Sequence, residues 1–256
     1  MNGSAFRDGL LEGKVAFVAG GTSGINLGIA KRFASLGAHV AVCGRDPDKA
    51  VRAAEAIGHH ALGLSADVRD FAAIRGALET ASDRFGAFDI VVAGAAGNFL
   101  APALGMSANA FKTVVDIDLL GTFNTFRACH DLLNTPASLI AITAGQAEQA
   151  MALQVHACAA KAGVNQVIRT LAIEWGPNVR VNGISPGPID GTEGMARLAP
   201  DASLVVRSEA IVSHDYEFTG KDFHFPARDL AAIAPVVISA WNANFIDFAK
   251  TSPYAV

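Results

Sequence analysis

Tyrosine is almost missing from this chain: Tyr216 and Tyr254 are the only two in 256 residues. Any proton chemistry in the first 215 residues therefore has to use another group. Cysteine is nearly as scarce, and Cys43, Cys129 and Cys158 are odd in number and show neither CxxC nor metal-ligand spacing. A disulfide framework and a zinc site are excluded on that ground, no metal is expected, and the three read as reduced, small buried side chains of a cytosolic protein. Charged residues make up 17% of the chain, with a net charge of −4. There is no basic excess to attract nucleic acid. No apolar run approaches the roughly 18 residues that span a bilayer, so no membrane partner is expected. The N-terminus carries Arg7, Asp8 and Glu12 where a secretory signal would be apolar, and Pro253-Tyr254-Ala255-Val256 is not a peroxisomal address. A cytoplasmic location is the expectation.

What the chain does have is apolar residues, 51% of the total, enough for a large core. Short β-rich runs at Val15–Ala19, His39–Cys43, Ala61–Ser65, Ile90–Ala93, Ser138–Ile142 and Val179–Ile184 alternate with longer helical patterns. That alternation predicts an α/β fold, a Rossmann-type doubly wound parallel sheet with helices on both faces. Ile29, Phe33 and Leu36 sit at helical spacing before Gly37, a C-terminal cap; Asp70 and Ser107 are predicted N-caps, and Val155 to Trp175 reads as one long helix. With no repeat, low-complexity tract or linker before about residue 195, residues 1–256 read as a single domain. The last 60 residues are less regular. Asp215 to Pro226 reads as a loop or lid, Ala227 to Ala240 as a helix interrupted by Pro235, and Asn244 to Ala249 as an edge strand.

The first strand runs straight into Gly20-Gly21-Thr22-Ser23-Gly24-Ile25-Asn26-Leu27-Gly28 and then a helix. Glycine permits the tight turn and lets backbone N–H groups approach a pyrophosphate at a helix N-terminus. Gly20, Thr22, Ser23, Gly24, Ile25 and Asn26 are the candidate contacts. The second strand ends in Cys43-Gly44-Arg45. An Asp there would bond the ribose 2′-hydroxyl of NAD, whereas a guanidinium suits a 2′-phosphate, so Arg45 favours NADP(H). The alternative is a solvated arginine paired with Asp46 or Asp48.

Together the loop Gly20–Gly28, Ala66-Asp67-Val68, Ala93-Gly94-Ala95-Ala96-Gly97, Lys161 and Pro186-Gly187-Pro188-Ile189 resemble the short-chain dehydrogenase/reductases over about residues 11 to 198. The resemblance implies that Asp67 and Val68 hold the adenine and that Ala93, Gly94 and Ala95 line the riboses. It also implies that Pro186, Gly187, Ile189 and Thr192 border the nicotinamide and phosphates. Within the family the chain is most similar to the peroxisomal-type 2,4-dienoyl-CoA reductases and their bacterial relatives. The segments that carry this are Ala95 to Leu100, Asn109 to Asp118, Leu153-Gln154-Val155-His156-Ala157, Glu174-Trp175-Gly176 and Gly191-Thr192-Glu193-Gly194. An acyl-CoA-type substrate and a homo-oligomer, tetramer or dimer, are implied.

Most members of the family place a Tyr four residues before the Lys, on the same helix face. Here Ala157 stands there, Ala144 holds the usual Ser position, and Thr143 adjoins it. A simple ketone reductase thereby loses its general acid. Dienoyl thioester reduction needs donors at the thioester oxygen more than a Tyr beside a carbonyl. The resemblance assigns Lys161 to orienting the cofactor ribose and Asp118, through water, to protonation. Asp118 could instead be structural at a helix kink, His156 reads as a packed and satisfied histidine, and Asn98 and Phe99 either line an acyl pocket or form a turn. Asn26 departs from the family glycine, and Phe245 to Lys250 lacks the glycines expected near an assembly interface. The alternatives to an NADP-dependent dienoyl- or enoyl-CoA reductase are a carbonyl reductase using Thr143 or water, and a nucleotide-binding scaffold without turnover.

Overall fold

A computed structural model describes residues 6–187 together with Ile189 and Thr192. The irregular C-terminal readings, at 215–226, 227–240 and 244–249, lie outside the described residues, as does most of 188–198.

Six strands form one parallel sheet: β1 Val15–Ala19, β2 His39–Gly44, β3 Ala61–Ser65, β4 Phe88–Ala93, β5 Leu133–Ile142 and β6 Val179–Ile184. Their order is β3-β2-β1-β4-β5-β6, the order of dinucleotide-binding sheets. β1 is buried at every residue, as a central parallel strand covered on both faces must be. Helices α1 Gly24–Ser35 and α2 Pro47–Ile57 cover one face, where Ile29, Phe33 and Ala53 meet Val18, Val40 and Val42. On the other face α3 Phe71–Phe85, α5 Gly121–Cys129 and α6 Val155–Trp175 bring Ile74, Leu78, Phe126, Val164 and Leu171 onto Phe17, Val91 and Leu139. Helix α4 Ala108–Val115 precedes α5 and packs its Val114 against Ala157 and Ala160 of α6.

Local chemistry sets the helix starts. Asp70 accepts the N–H groups of Ala72 and Ala73, and Ser107 accepts that of Ala110, each satisfying donors that have no partner inside the helix. Beyond α1, Gly37 takes a left-handed φ of 100°, which a side chain would resist. Two strands start earlier than their apolar runs. In β5, Asn134, Thr135 and Pro136 are exposed and burial starts at Ala137, so hydrophobicity marks only the second half. In β4, Asp89 interrupts the apolar run, yet its carboxylate accepts the Val15 N–H and the Lys14 ammonium, both at 2.9 Å.

Cys43 and Cys129 are buried and free, but Cys158 is half-exposed, correcting the reading of three buried thiols. It lies near the start of α6, away from the sheet-facing stripe. Burial pushes the Cys43 thiol up to about 12. Among the described residues no helix is long and apolar enough to cross a membrane.

Candidate dinucleotide and catalytic site

Neighbouring strands β1 and β4 send the chain to opposite faces of the sheet, which opens a crevice at their carboxyl ends. Gly20 turns the chain there with a φ of 73°. A Cβ on it would lie 2.7 Å from the backbone of Ala95, so the position admits glycine alone. Ser23 precedes α1 without its side chain capping it, and the first turn carries no acidic residue. The leading N–H groups and the positive end of the dipole are thus left to an anion. Thr22 packs on Gly44, one residue before Arg45. Ile189 joins the apolar cluster of α1, and Thr192 lies against the α1 start at Gly24 while its hydroxyl donates to the Ile189 carbonyl at 2.9 Å. These features fit a dinucleotide. Pro186 is half-buried and Gly187 exposed just beyond β6.

Asn26 does more than replace a glycine. Its amide nitrogen donates to the Gly94 carbonyl at 2.7 Å, tying the phosphate loop to the turn after β4. A Cβ on Gly94 would lie 2.3 Å from Asn26 Oδ1, so the two positions are matched in size. Arg45 is exposed and forms no ion pair among the described residues; Asp46 instead caps α2 by accepting the Lys49 N–H at 3.0 Å. Asp67 is engaged by Arg69, whose guanidinium holds the carboxyl below the usual range. Val68 is buried beneath Gly121. The Asn124 amide donates to the Val68 carbonyl at 2.9 Å and fixes that turn.

The catalytic candidates converge on the other side of the crevice. Between α4 and α5 the helix widens to a π-turn over Asp116–Leu120, a distortion that re-aims a side chain and recurs at functional sites. It carries Asp118, 1% exposed, inward. One carboxylate oxygen accepts the Gly97 N–H at 2.7 Å and the other lies 3.1 Å from Lys161 Nζ. Lys161 also donates to the Ile142 carbonyl at 2.9 Å. Lys161 is therefore held inside the site, 8% exposed. Asp118 is anchored to backbone at a helix distortion and paired with the lysine at once. Thr143 adjoins the end of β5, but its hydroxyl donates to Asn165 at 2.8 Å, and Asn165 in turn donates to Glu148 at 2.7 Å.

The Enoyl-(Acyl carrier protein) reductase family model matches residues 19–213. A short chain dehydrogenase from Bacillus anthracis superposes with a TM-score of 0.74 at 32% identity, covering 89% of each chain. This chain belongs to the short-chain dehydrogenase/reductase family. It is an oxidoreductase whose fold uses a nicotinamide cofactor. A short-chain type dehydrogenase/reductase from Mycobacterium marinum also superposes, with a TM-score of 0.74 at 26% identity over 87% of each chain. Among curated relatives, the peroxisomal 2,4-dienoyl-CoA reductase of Pongo abelii is 46% identical over 78% of this chain and 72% of its own length. That of Arabidopsis thaliana is 43% identical over 77% and 72%. A probable 2,4-dienoyl-CoA reductase of Bacillus subtilis is 36% identical over 77% and 81%.

Against the short-chain dehydrogenase/reductase pattern, Ala157 is buried in an apolar cluster with Val114 and Ala160. His156 is fully buried with its ring 4.3 Å from that of Phe99, whose backbone hydrogen-bonds the imidazole. Burial lowers its pKa, while the Asp118 charge and the Phe99 backbone pull the other way. The Asn98 oxygen accepts the Phe99 N–H at 2.8 Å and its amide donates to Gln154 at 2.7 Å. Gln146 donates to the same Gln154 oxygen at 3.1 Å. Leu153 beside it has a left-handed φ of 66°, a strained conformation for a bulky residue. The sequence reading missed Asn124, Gln146, Gln154 and Asn165.

Proposed function

We propose that this short-chain oxidoreductase is NADPH-dependent and reduces a 2,4-dienoyl-CoA or a related enoyl thioester. The observation that carries the reading is the buried Asp118–Lys161 pair, set one helical turn from Ala157, where the family's phenolic acid would stand. The relatives named as 2,4-dienoyl-CoA reductases support the same reading.

The loop residues Gly20, Thr22, Ser23, Gly24, Ile25 and Asn26 would cradle the pyrophosphate, with Thr192 beside them. Arg45 would meet the 2′-phosphate, and Asp67 and Val68 the adenine. Ala93, Gly94 and Ala95 would line the riboses, and Pro186, Gly187 and Ile189 the nicotinamide. A reduced nicotinamide, when bound, supplies a hydride to the far carbon of the conjugated system. Lys161 fixes the ribose through its ammonium, itself held by the Ile142 carbonyl and Asp118. Asp118, paired with a cation and accepting from Gly97, serves as an acceptor that orients a water, and the substrate carbon takes its proton from that water. Thr143, committed to Asn165, is poorly placed to serve as the acid of a carbonyl reductase. We further propose a dimer or tetramer, since Leu120 and Phe123, each 41% exposed, leave apolar surface for a second copy to cover.

Purified protein with NADPH and 2,4-hexadienoyl-CoA should consume the reduced cofactor, followed by its loss of absorbance. Tight NADPH binding without turnover would overturn the reductase reading in favour of a non-catalytic scaffold.

A further inference from the structure

The segments that leave the carboxyl ends of the neighbouring strands β4 and β5 meet again at one side chain, Gln154. Its Oε1 accepts the Asn98 amide at 2.7 Å and the Gln146 amide at 3.1 Å. The polarity of this contact is fixed from the Asn98 side. Asn98 Oδ1 accepts the Phe99 N–H at 2.8 Å, and a backbone N–H can only donate. The Asn98 group facing Gln154 is therefore its NH2, and the Gln154 atom that meets it is the oxygen. One residue earlier, the Leu153 carbonyl accepts the Ala101 N–H at 3.0 Å. Leu153 itself holds a φ of 66°, a conformation that a bulky residue keeps only where its surroundings impose it. Glu148 pins the β5 segment to α6 separately, accepting the Asn165 amide at 2.7 Å. Both tied segments belong to the site. Gly97, next to Asn98, donates its N–H to Asp118, and Gln154 immediately precedes α6, which carries Lys161.

We propose that Gln154 is a positioning residue for the thioester substrate, an inference that rests on the reductase reading above. Its side-chain oxygen sets the spacing between the Asn98–Ala101 segment and the start of α6, and with it the opening through which the substrate reaches the Asp118–Lys161 pair. The cofactor contacts proposed above lie on the Gly20 loop, on Ala93 to Ala95 and beyond β6, outside this tie. Losing the oxygen therefore loosens substrate binding and spares the cofactor. A group that only holds the bound substrate moves KM and leaves kcat nearly unchanged. Because both bonds end on one acceptor oxygen, a carboxylate can replace the amide at Gln154. At Asn98 the same change sets oxygen against oxygen.

That asymmetry is the test. Gln154→Ala and Asn98→Asp should each raise KM for 2,4-hexadienoyl-CoA about tenfold, keep kcat within about threefold and leave the NADPH Kd unchanged. Gln154→Glu should keep KM close to the wild-type value. Equal loss in Gln154→Glu and Gln154→Ala, or a wild-type KM in Asn98→Asp, would overturn the proposal. If Gln154→Ala fails to fold, Asn98→Asp, which keeps the side-chain shape, decides in its place. Backbone hydrogen exchange gives a second readout that needs no substrate. The Ala101 N–H, held by the Leu153 carbonyl, should exchange faster in Gln154→Ala and Asn98→Asp and at the wild-type rate in Gln154→Glu. Unchanged exchange in both of the first two would also overturn the tie. Wild-type protein that reduces no dienoyl-CoA while exchange follows this pattern would instead count against the reductase reading.

Discussion

At the phosphate loop the chain carries a larger side chain than the family pattern, and at the catalytic helix a smaller one. Asn26 fills the space where glycine is usual, and its amide bonds the Gly94 carbonyl across 68 residues of sequence. Ala157 withdraws from the site into an apolar cluster with Val114 and Ala160. The first change conserves what the loop does while altering the atoms that hold it. The second leaves an apolar side chain where the family pattern has a phenol, one helical turn from the buried Asp118–Lys161 pair. A departure in the glycine-rich loop can thus be absorbed by local packing, whereas, on the function proposed above, one beside Lys161 moves the proton step to another group.

The largest effect should come from the catalytic side. Asp118→Asn leaves the Lys161 ammonium buried without its counter-charge. Breaking a buried pair of this kind costs about 3–5 kcal/mol, measurable by urea unfolding. Turnover should fall about 100-fold or more, by the dienoyl-CoA assay on the folded fraction. Wild-type turnover in Asp118→Asn would assign the carboxylate to architecture alone.

Next comes the loop. Gly94→Ala should cost about 1–3 kcal/mol through overpacking, because the new methyl meets the Asn26 side chain. Asn26→Gly removes that obstacle, so the double variant should bind NADPH better than Gly94→Ala alone. Fluorescence titration of the four proteins forms a double-mutant cycle. Strict additivity would show that the two positions are not matched. A smaller change is expected at the loop's outer edge. Arg45→Asp should weaken NADPH about tenfold or more relative to NADH, from losing a charge-assisted contact. Equal loss for both cofactors would remove Arg45 from 2′-phosphate recognition.

The contrast also explains what the sequence revealed. Strands β1, β3 and β6 and helix α6 coincide with their patterns; for β1 the reason is that a buried parallel strand writes its burial into local composition. β5 begins five residues before its apolar run because Leu133 already pairs with Phe88, while the exposed Asn134, Thr135 and Pro136 lie in the irregular stretch before the ladder resumes. The positions of Lys161 and Asp118 were legible from family motifs, but their pairing was not. Gly97 meets Asp118 across 21 residues and Asn124 meets Val68 across 56. Contacts of that range depend on where the sheet delivers each turn, and no local pattern encodes them. A helix kink at Asp118 is among the sequence readings, but its form as a π-turn over Asp116–Leu120 is not legible there.

The finest test separates the two regions by pH. Each holds a buried polar group, Asn26 Oδ1 at the loop and the His156 nitrogens at the helix, but an amide oxygen does not titrate in the physiological range. The His156 pKa in the folded protein lies below its ordinary value of 6.5, chiefly because burial disfavours the charged ring. Above that value folded and unfolded chains both hold a neutral ring, and stability is complete. As pH falls below it the unfolded chain takes up the proton first, so stability is lost until the folded value is passed. Tm measured from about pH 7.5 down to about 5 should therefore decline less steeply in His156→Phe than in the wild-type protein. Asn26→Gly should shift Tm by the same amount at every pH. Parallel curves for wild type and His156→Phe would mean that the imidazole is solvated in the folded protein, and the contrast between the two regions would then rest on Ala157 and the Asp118–Lys161 pair alone.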